Sequence, residues 1–205
     1  MVEPSADHRL PPGQGGRAVL VRPTLLEDAA AVAGLLNKLA EKAHADHPVT
    51  TARVETYLRH CESHTDMYVN YVAETAASAD EDGIARGDGT GGGDGILGGS
   101  RHGADAAAIR LTVIGFLSAV FYETPFHDKG TCLINELIVD ADRRGAGVGR
   151  ALVETAKAEA RRRGMDEIEV GTEKTNLAAQ RFYQRVGFDE EFVLLSQDFH
   201  KQEEP

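Results

Sequence analysis

Tryptophan is absent from this 205-residue chain, aromatic residues make up only 6% of it, and there are just two cysteines. Cys61 and Cys132 form neither a CxxC pair nor a zinc-type spacing, so a disulfide framework or a cysteine-built metal centre does not organise the fold. Both read as reduced thiols. No apolar run approaches the ~20 residues that a membrane-spanning helix needs. The first sixteen residues, MVEPSADHRLPPGQGG, lack the apolar core of a signal peptide and read as a flexible tail, with a cytoplasmic location as the expectation. Basic residues are in the minority, 22 against 33 acidic ones, for a net charge of −11. That balance argues against nucleic acid or an anionic membrane as partner and tilts towards a cationic one.

What is present is ordinary globular material, 41% hydrophobic and 27% charged. The length suits one domain, over residues 17–200, with 201–205 frayed. RAVLVR (17–22) reads as a first strand closed by Pro23. Thr24 and Glu27 have capping-box spacing ahead of a helix carrying Val32, Leu35, Leu36 and Leu39, which should fade near His47-Pro48. A second helix follows, with Val54, Tyr57, Leu58 and Cys61 on one face. MYVNYVA (67–73) and LTVIGFLSAVFY (111–122) read as the strands of a hairpin. Between them ten glycines fall within 83–103, and 76–107 is read as a flexible insertion. Then come a strand over 132–139, a helix with Val148, Leu152, Ala156 and Ala160 on one face, and Gly164 as its stop. A strand over 167–171, a helix from Thr175-Asn176 to Val186 and a closing strand over 188–199 complete a mixed α/β order, β-α-α-β-β-β-α-β-α-β.

The most informative segment is LINELIVDADRRGAGVGRALVETAKAEARRRG (133–164). A strand, a glycine-rich turn and a helix start in that order direct unpaired N–H groups and the positive end of a helix dipole at one spot, an anion site. The turn is not a dinucleotide fingerprint, because Arg150 stands where G-x-G-x-x-G needs its third glycine. Nor is it a Walker loop, since no lysine follows. A tight packing turn with no ligand is the remaining alternative at this point.

Two motifs in order, RRGAGVG (143–149) and NLAAQRFYQRVGF (176–188), carry a resemblance to the GNAT superfamily of acetyl-CoA-dependent N-acetyltransferases. The good match covers 132–190. The resemblance implies a mixed, mostly antiparallel sheet flanked by about four helices, with central parallel strands that splay apart. It implies that the backbone of Arg144, Gly145, Ala146, Gly147, Val148, Gly149 and Arg150 cradles the pyrophosphate of coenzyme A. Leu137, Ile138 and Val139 would pair with the pantetheine arm, and an N–H there would stabilise the developing oxyanion. Asn176 matches the asparagine that contacts the cofactor arm, and Tyr183 the tyrosine near the thioester sulfur. The implied reaction is direct attack of an amine on acetyl-CoA. A non-catalytic acyl-CoA-binding sensor or docking module is the alternative.

Glu136 is the carboxylate best placed in sequence to take the amine proton, with Asn135 ordering a water and Glu173 as a weaker second. Cys132 as a covalent nucleophile is disfavoured because it opens a core strand with no histidine near in sequence. The pairs His44/His47 and His60/His64 have metal-like spacing, but no further ligand completes a set, so no metal is expected. Residues 41–60 are assigned to the acceptor cleft. Acetyl-CoA and a small-molecule or peptide amine are the expected partners, with exposed sheet edges suited to a homodimer.

Overall fold

The computed structural model of this chain describes residues 8–9, 18–40, 48–76, 111–197 and 199. Six strands form one sheet in chain order: β1 (His8–Arg9), β2 (Val19–Pro23), β3 (Tyr68–Ala76), β4 (Leu111–Tyr122), β5 (Thr131–Val139) and β6 (Glu167–Val170). The first five pair antiparallel, and β5 pairs β6 in parallel. The two-residue strand β1 sits within the stretch read as a tail, where its local sequence gives no strand pattern. The hairpin of β3 and β4 stays paired to its last residues, Ala76 against Leu111. Ala76 thus belongs to the sheet, and the rest of the glycine-rich stretch assigned to 76–107 lies outside the described residues.

Helices cover both faces, α1 (Ala29–Ala40) and α2 (Thr51–Glu62) on one, α3 (Val148–Arg163) on the other; α4 (Leu177–Arg185) follows β6. The strand period of two decides which residues meet which helices. Leu117, Ala119, Cys132 and Ile134 face α3, whose Val148, Leu152 and Ala156 are fully or almost fully buried against them. Val72, Phe116 and Ile138 face Val32, Leu35, Val54 and Leu58 of α1 and α2. Each Val, Leu, Ile or Phe among them contributes about 1.5–3 kcal/mol through loss of apolar surface to water. The expected fading of the first helix near His47 falls outside the described residues.

Two local expectations fail. The capping box from Thr24 to Glu27 does not form, because Asp28, one residue later, accepts the Leu25 N–H at 2.7 Å. Asp28 is buried and held at both oxygens by Arg22, at 2.7 and 2.8 Å, while the same guanidinium reaches Glu74 at 2.5 Å. Hydrogen bonding to Asp28 outweighs burial and raises the Arg22 pKa above its ordinary value. Tertiary anchoring therefore selects the capping carboxylate, and Glu27 stays exposed. The closing strand over 188–199 is also missing from the described residues. Residues 188–197 run on as irregular chain, with Phe192, Val193, Leu194 and Leu195 between 75% and 88% exposed. The available ladder is short, since β6 offers only four residues at that edge.

Candidate active site

The glycine turn leaves a run of backbone N–H groups unpaired at the start of α3. After β5 the chain makes one 3-10 turn (Ala141–Arg143), and the Arg144 N–H is donated to Ala141 O at 3.3 Å. Gly145 and Gly147 then take φ of +80° and +83°, which an L-residue with a side chain adopts only at a cost of about 1–2 kcal/mol. Gly147 is the N-cap of α3 and brings no side-chain cap. As a result the N–H groups from Gly145 to Arg150 have no hydrogen-bond partner among the described residues. A Cβ on Gly145 or Gly147 meets nothing within 4 Å, so the concave side is open. Gly149 acts differently, since a Cβ there would lie 3.3 Å from Phe182 and 3.6 Å from Val139. Its lack of a side chain lets α4 lie against the start of α3.

Tyr183 is the residue after Phe182 on α4. Tyr183 is half-buried, packing edge-on against Phe182 (ring centroids 5.3 Å apart) and Phe188 (5.6 Å). Burial raises its phenol above the usual tyrosine value. Asn176 is the N-cap of α4, its Oδ1 accepting the Ala179 N–H at 3.2 Å. The amide nitrogen of Asn176 has no partner among the described residues. The far end of α4 is clamped by Lys157, a buried residue of α3 whose Nζ donates to Val186 O and lies 5.0 Å from the centroid of the Phe188 ring. Lys157→Ala leaves that carbonyl without its donor, an expected loss of about 1–3 kcal/mol and roughly 3–10 °C in Tm by calorimetry.

The strand carrying Glu136 is bulged. Ser118 of β4 pairs with Glu136 but Ala119 pairs with Ile134, so Asn135 is an extra residue on β5. One inserted residue transfers everything beyond it to the opposite face. Ile134 points to the α3 side; Glu136 points with Ile138 to the α1 and α2 side. There it accepts a hydrogen bond from the Ser118 hydroxyl. The parallel ladder ends at Ile134↔Val170, so among the described residues the edge of Asn135–Val139 facing away from β4 carries no strand. This is the expected splay. Lys38 at the end of α1 ties to Asp140 at 2.8 Å and holds that helix against the strand end; its hydrogen bond lowers the Asp140 pKa.

Glu136 forms part of the wall of a pocket of about 360 Å³ between α1, α2 and the sheet, lined also by Val32, Leu36, Val54, Phe116 and Arg53. Tyr57 reaches the same space and hydrogen-bonds Asn70 Oδ1 at 3.2 Å. Burial, followed by Cys61, raises the Tyr57 phenol well above its ordinary range. Of the stretch 41–60 assigned to the acceptor cleft, residues 48–60 are described, and Pro48, Val49, Arg53, Val54 and Tyr57 line this pocket; 41–47, with His44 and His47, lie outside the described residues. Glu173 is exposed on a loop, its carbonyl accepting from Asn176 N and Gln180, and does not line this pocket. Cys132 is fully buried, and burial first of all pushes its thiol up to about 12, which removes it as a nucleophile. His60 and His64 stack with centroids 4.3 Å apart, and His64 Nδ1 lies 2.8 Å from His60 O. Three residues of this site had not been singled out in sequence: Ser118, Arg53 and, as a polar group, Tyr57. Ser118 had one usable signal, a hydroxyl inside the otherwise apolar run 113–121.

Residues 98–188 match the acetyltransferase (GNAT) family. That stretch is somewhat less than half of the chain. An uncharacterized N-acetyltransferase of Methanocaldococcus jannaschii is 41% identical over 61 residues, 30% of this chain and 27% of that protein. A mycothiol acetyltransferase of Thermobispora bispora is 42% identical over 50 residues, 24% of this chain and 17% of that one. The chain thus spans about a quarter or less of the length of these curated relatives. At the level of fold the likeness to solved structures covers more of the chain. The crystal structure of glucosamine-6-phosphate N-acetyltransferase from Arabidopsis thaliana superposes with a TM-score of 0.62 at 15% identity, covering 88% of this chain and 98% of that one.

Proposed function

We propose that this GNAT domain moves an acetyl group from acetyl-CoA to an amine by direct attack within a ternary complex. The observation that carries the proposal is the register slip at Asn135. It turns Glu136 into the pocket between α1, α2 and the sheet, while the same strand runs on to the N–H cradle. Donor and acceptor are then served from one strand.

The residues fit coenzyme A. Unpaired N–H groups from Gly145 to Arg150, added to the start of the 16-residue α3, suit a pyrophosphate, and the open side of Gly145 and Gly147 leaves room for it. The unclaimed edge of Leu137–Val139 suits an extended amide-bearing arm, with the Asn176 amide as a further donor. When bound, acetyl-CoA supplies an acetyl group activated as a thioester. Glu136 receives the proton of the attacking amine, directly or through a water, as the new C–N bond forms. An alkylamine of pKa ~10.4 is about 4.6 kcal/mol short of its neutral form at pH 7, which is the work this base performs. As the C–S bond breaks, the Tyr183 hydroxyl donates a hydrogen bond to the sulfur. Full proton transfer from a phenol near 10 to a thiolate near 8.5 already runs uphill by about 2 kcal/mol, and burial steepens it. Tyr183 therefore stabilises charge and keeps its proton.

The test is free-thiol release from acetyl-CoA across a panel of amines, with wild type and Tyr183→Phe. The variant should lose about 10- to 100-fold in kcat and keep its KM for acetyl-CoA within about threefold. Since the phenol stays protonated across roughly pH 6–9, the substitution should lower the pH–rate curve without moving it. Unchanged kcat leaves Tyr183 a packing residue. Tight coenzyme A binding with no thiol release from any amine makes the chain an acyl-CoA sensor instead.

A further inference from the structure

The acceptor pocket has two ionisable side chains of opposite sign and an apolar body. Glu136 stands at the strand, and Arg53 stands in the first turn of α2. Between them lie Val32, Leu36, Val54 and Phe116. Arg53 is exposed and its guanidinium has no ion-pair or hydrogen-bond partner among the described residues. The N–H groups of Thr51 and Ala52, just before it, are likewise unpaired, because the Thr50 cap serves Arg53 N and Val54 N. An exposed guanidinium in the first turn of a 12-residue helix and a half-buried carboxylate on the strand thus line one pocket.

We propose that the acceptor is a small zwitterion with an apolar side chain, an α-amino acid of the leucine type. Its amine is directed to Glu136, its hydrocarbon body lies against the aliphatic wall and Phe116, and its carboxylate pairs with Arg53. This rests on the acetyl-transfer reading above and names the substrate class of that same site. A polyamine fits poorly on two counts. It brings a second cation towards Arg53, and the only described carboxylate of the pocket is already engaged by the first amine. A sugar amine fits poorly as well, because apart from Tyr57 the uncharged described lining is hydrocarbon and most of its hydroxyls would lie unpaired. The volume, about 360 Å³, is at the lower end of small-molecule sites, which run from roughly 300 to 1,000 Å³, and suits a molecule of this size.

The experiment compares L-leucine, L-leucinamide, 3-methylbutylamine and spermidine in two assays on the full chain. One is thiol release from acetyl-CoA; the other is calorimetric binding to the protein loaded with coenzyme A. Leucine should exceed leucinamide and 3-methylbutylamine by about tenfold or more in both assays, the scale of a charge-assisted carboxylate contact. The amide's amine is the less basic and more readily neutral one, so this preference runs against intrinsic reactivity. Arg53→Gln should reduce the leucine-to-amide ratio to about twofold, with Tm within a few degrees, because the side chain supports no other described contact. Equal or better use of the amide, the plain amine or spermidine, or a ratio untouched by Arg53→Gln, overturns the proposal and leaves acetyl transfer standing. Arg53-dependent binding of leucine without thiol release from any amine overturns acetyl transfer and keeps the zwitterion site. Neither binding nor release removes both.

Discussion

Gly147→Glu should abolish coenzyme A binding, weakening it by about 10³ or more. Two effects combine. The residue holds φ at +83°, so any side chain adds about 1–2 kcal/mol of backbone strain. A Cβ there meets nothing within 4 Å, so the new carboxylate projects into the open cradle. At about 4 Å from a phosphate in a half-solvated site, like-charge repulsion is about 4 kcal/mol. Gly147→Ala separates the two effects. It carries the strain alone and should weaken binding by no more than about 30-fold. Calorimetry with coenzyme A reads both, and the folding penalty should stay near the strain itself, a few degrees in Tm. Binding by Gly147→Glu within tenfold of wild type would place the pyrophosphate somewhere else.

Glu136→Gln should lower kcat/KM for the amine by about 10² to 10⁴, the usual range for loss of a general base. The amide keeps the size of the carboxylate and can still accept from Ser118, so the bulge and the pocket should survive. What disappears is the ability to take a proton. The signature is therefore in pH as well as rate. In the variant, turnover should climb with rising pH as the free amine fraction grows, about tenfold per unit below the amine pKa. Wild type should flatten earlier. A loss below about threefold, with an unchanged profile, would return Glu136 to a structural role beside Ser118.

Much of the donor half was legible in the chain because it is local. A glycine pattern reports left-handed backbone and the absence of a side-chain cap within five residues, and the structure shows both at Gly145 and Gly147. Asn176 as N-cap and Gly187 as terminator of α4 follow from the same short-range chemistry. The misses have a common origin. Thr24 and Glu27 have the right spacing for a capping box, but Arg22 and Glu74 recruit Asp28 instead, and Glu74 is 52 residues from Arg22. Phe188–Phe199 is apolar enough to be a strand, yet strand formation needs a partner edge, and that edge is four residues long.

By itself, then, the sequence determined the cradle and the tyrosine helix, since dihedral preference and capping act over a few residues. Only the tertiary structure decided which face Glu136 takes and which side chains surround it. The slip at Asn135 is a matter of how β5 registers against β4, and that slip alone turns Glu136 away from the α3 face. The global charge of −11 pointed to a cationic partner. Inside the pocket, the charges that a ligand meets are one carboxylate and one guanidinium among the described residues. Net charge sums over the whole surface, whereas recognition depends on the few groups that folding brings within hydrogen-bond reach.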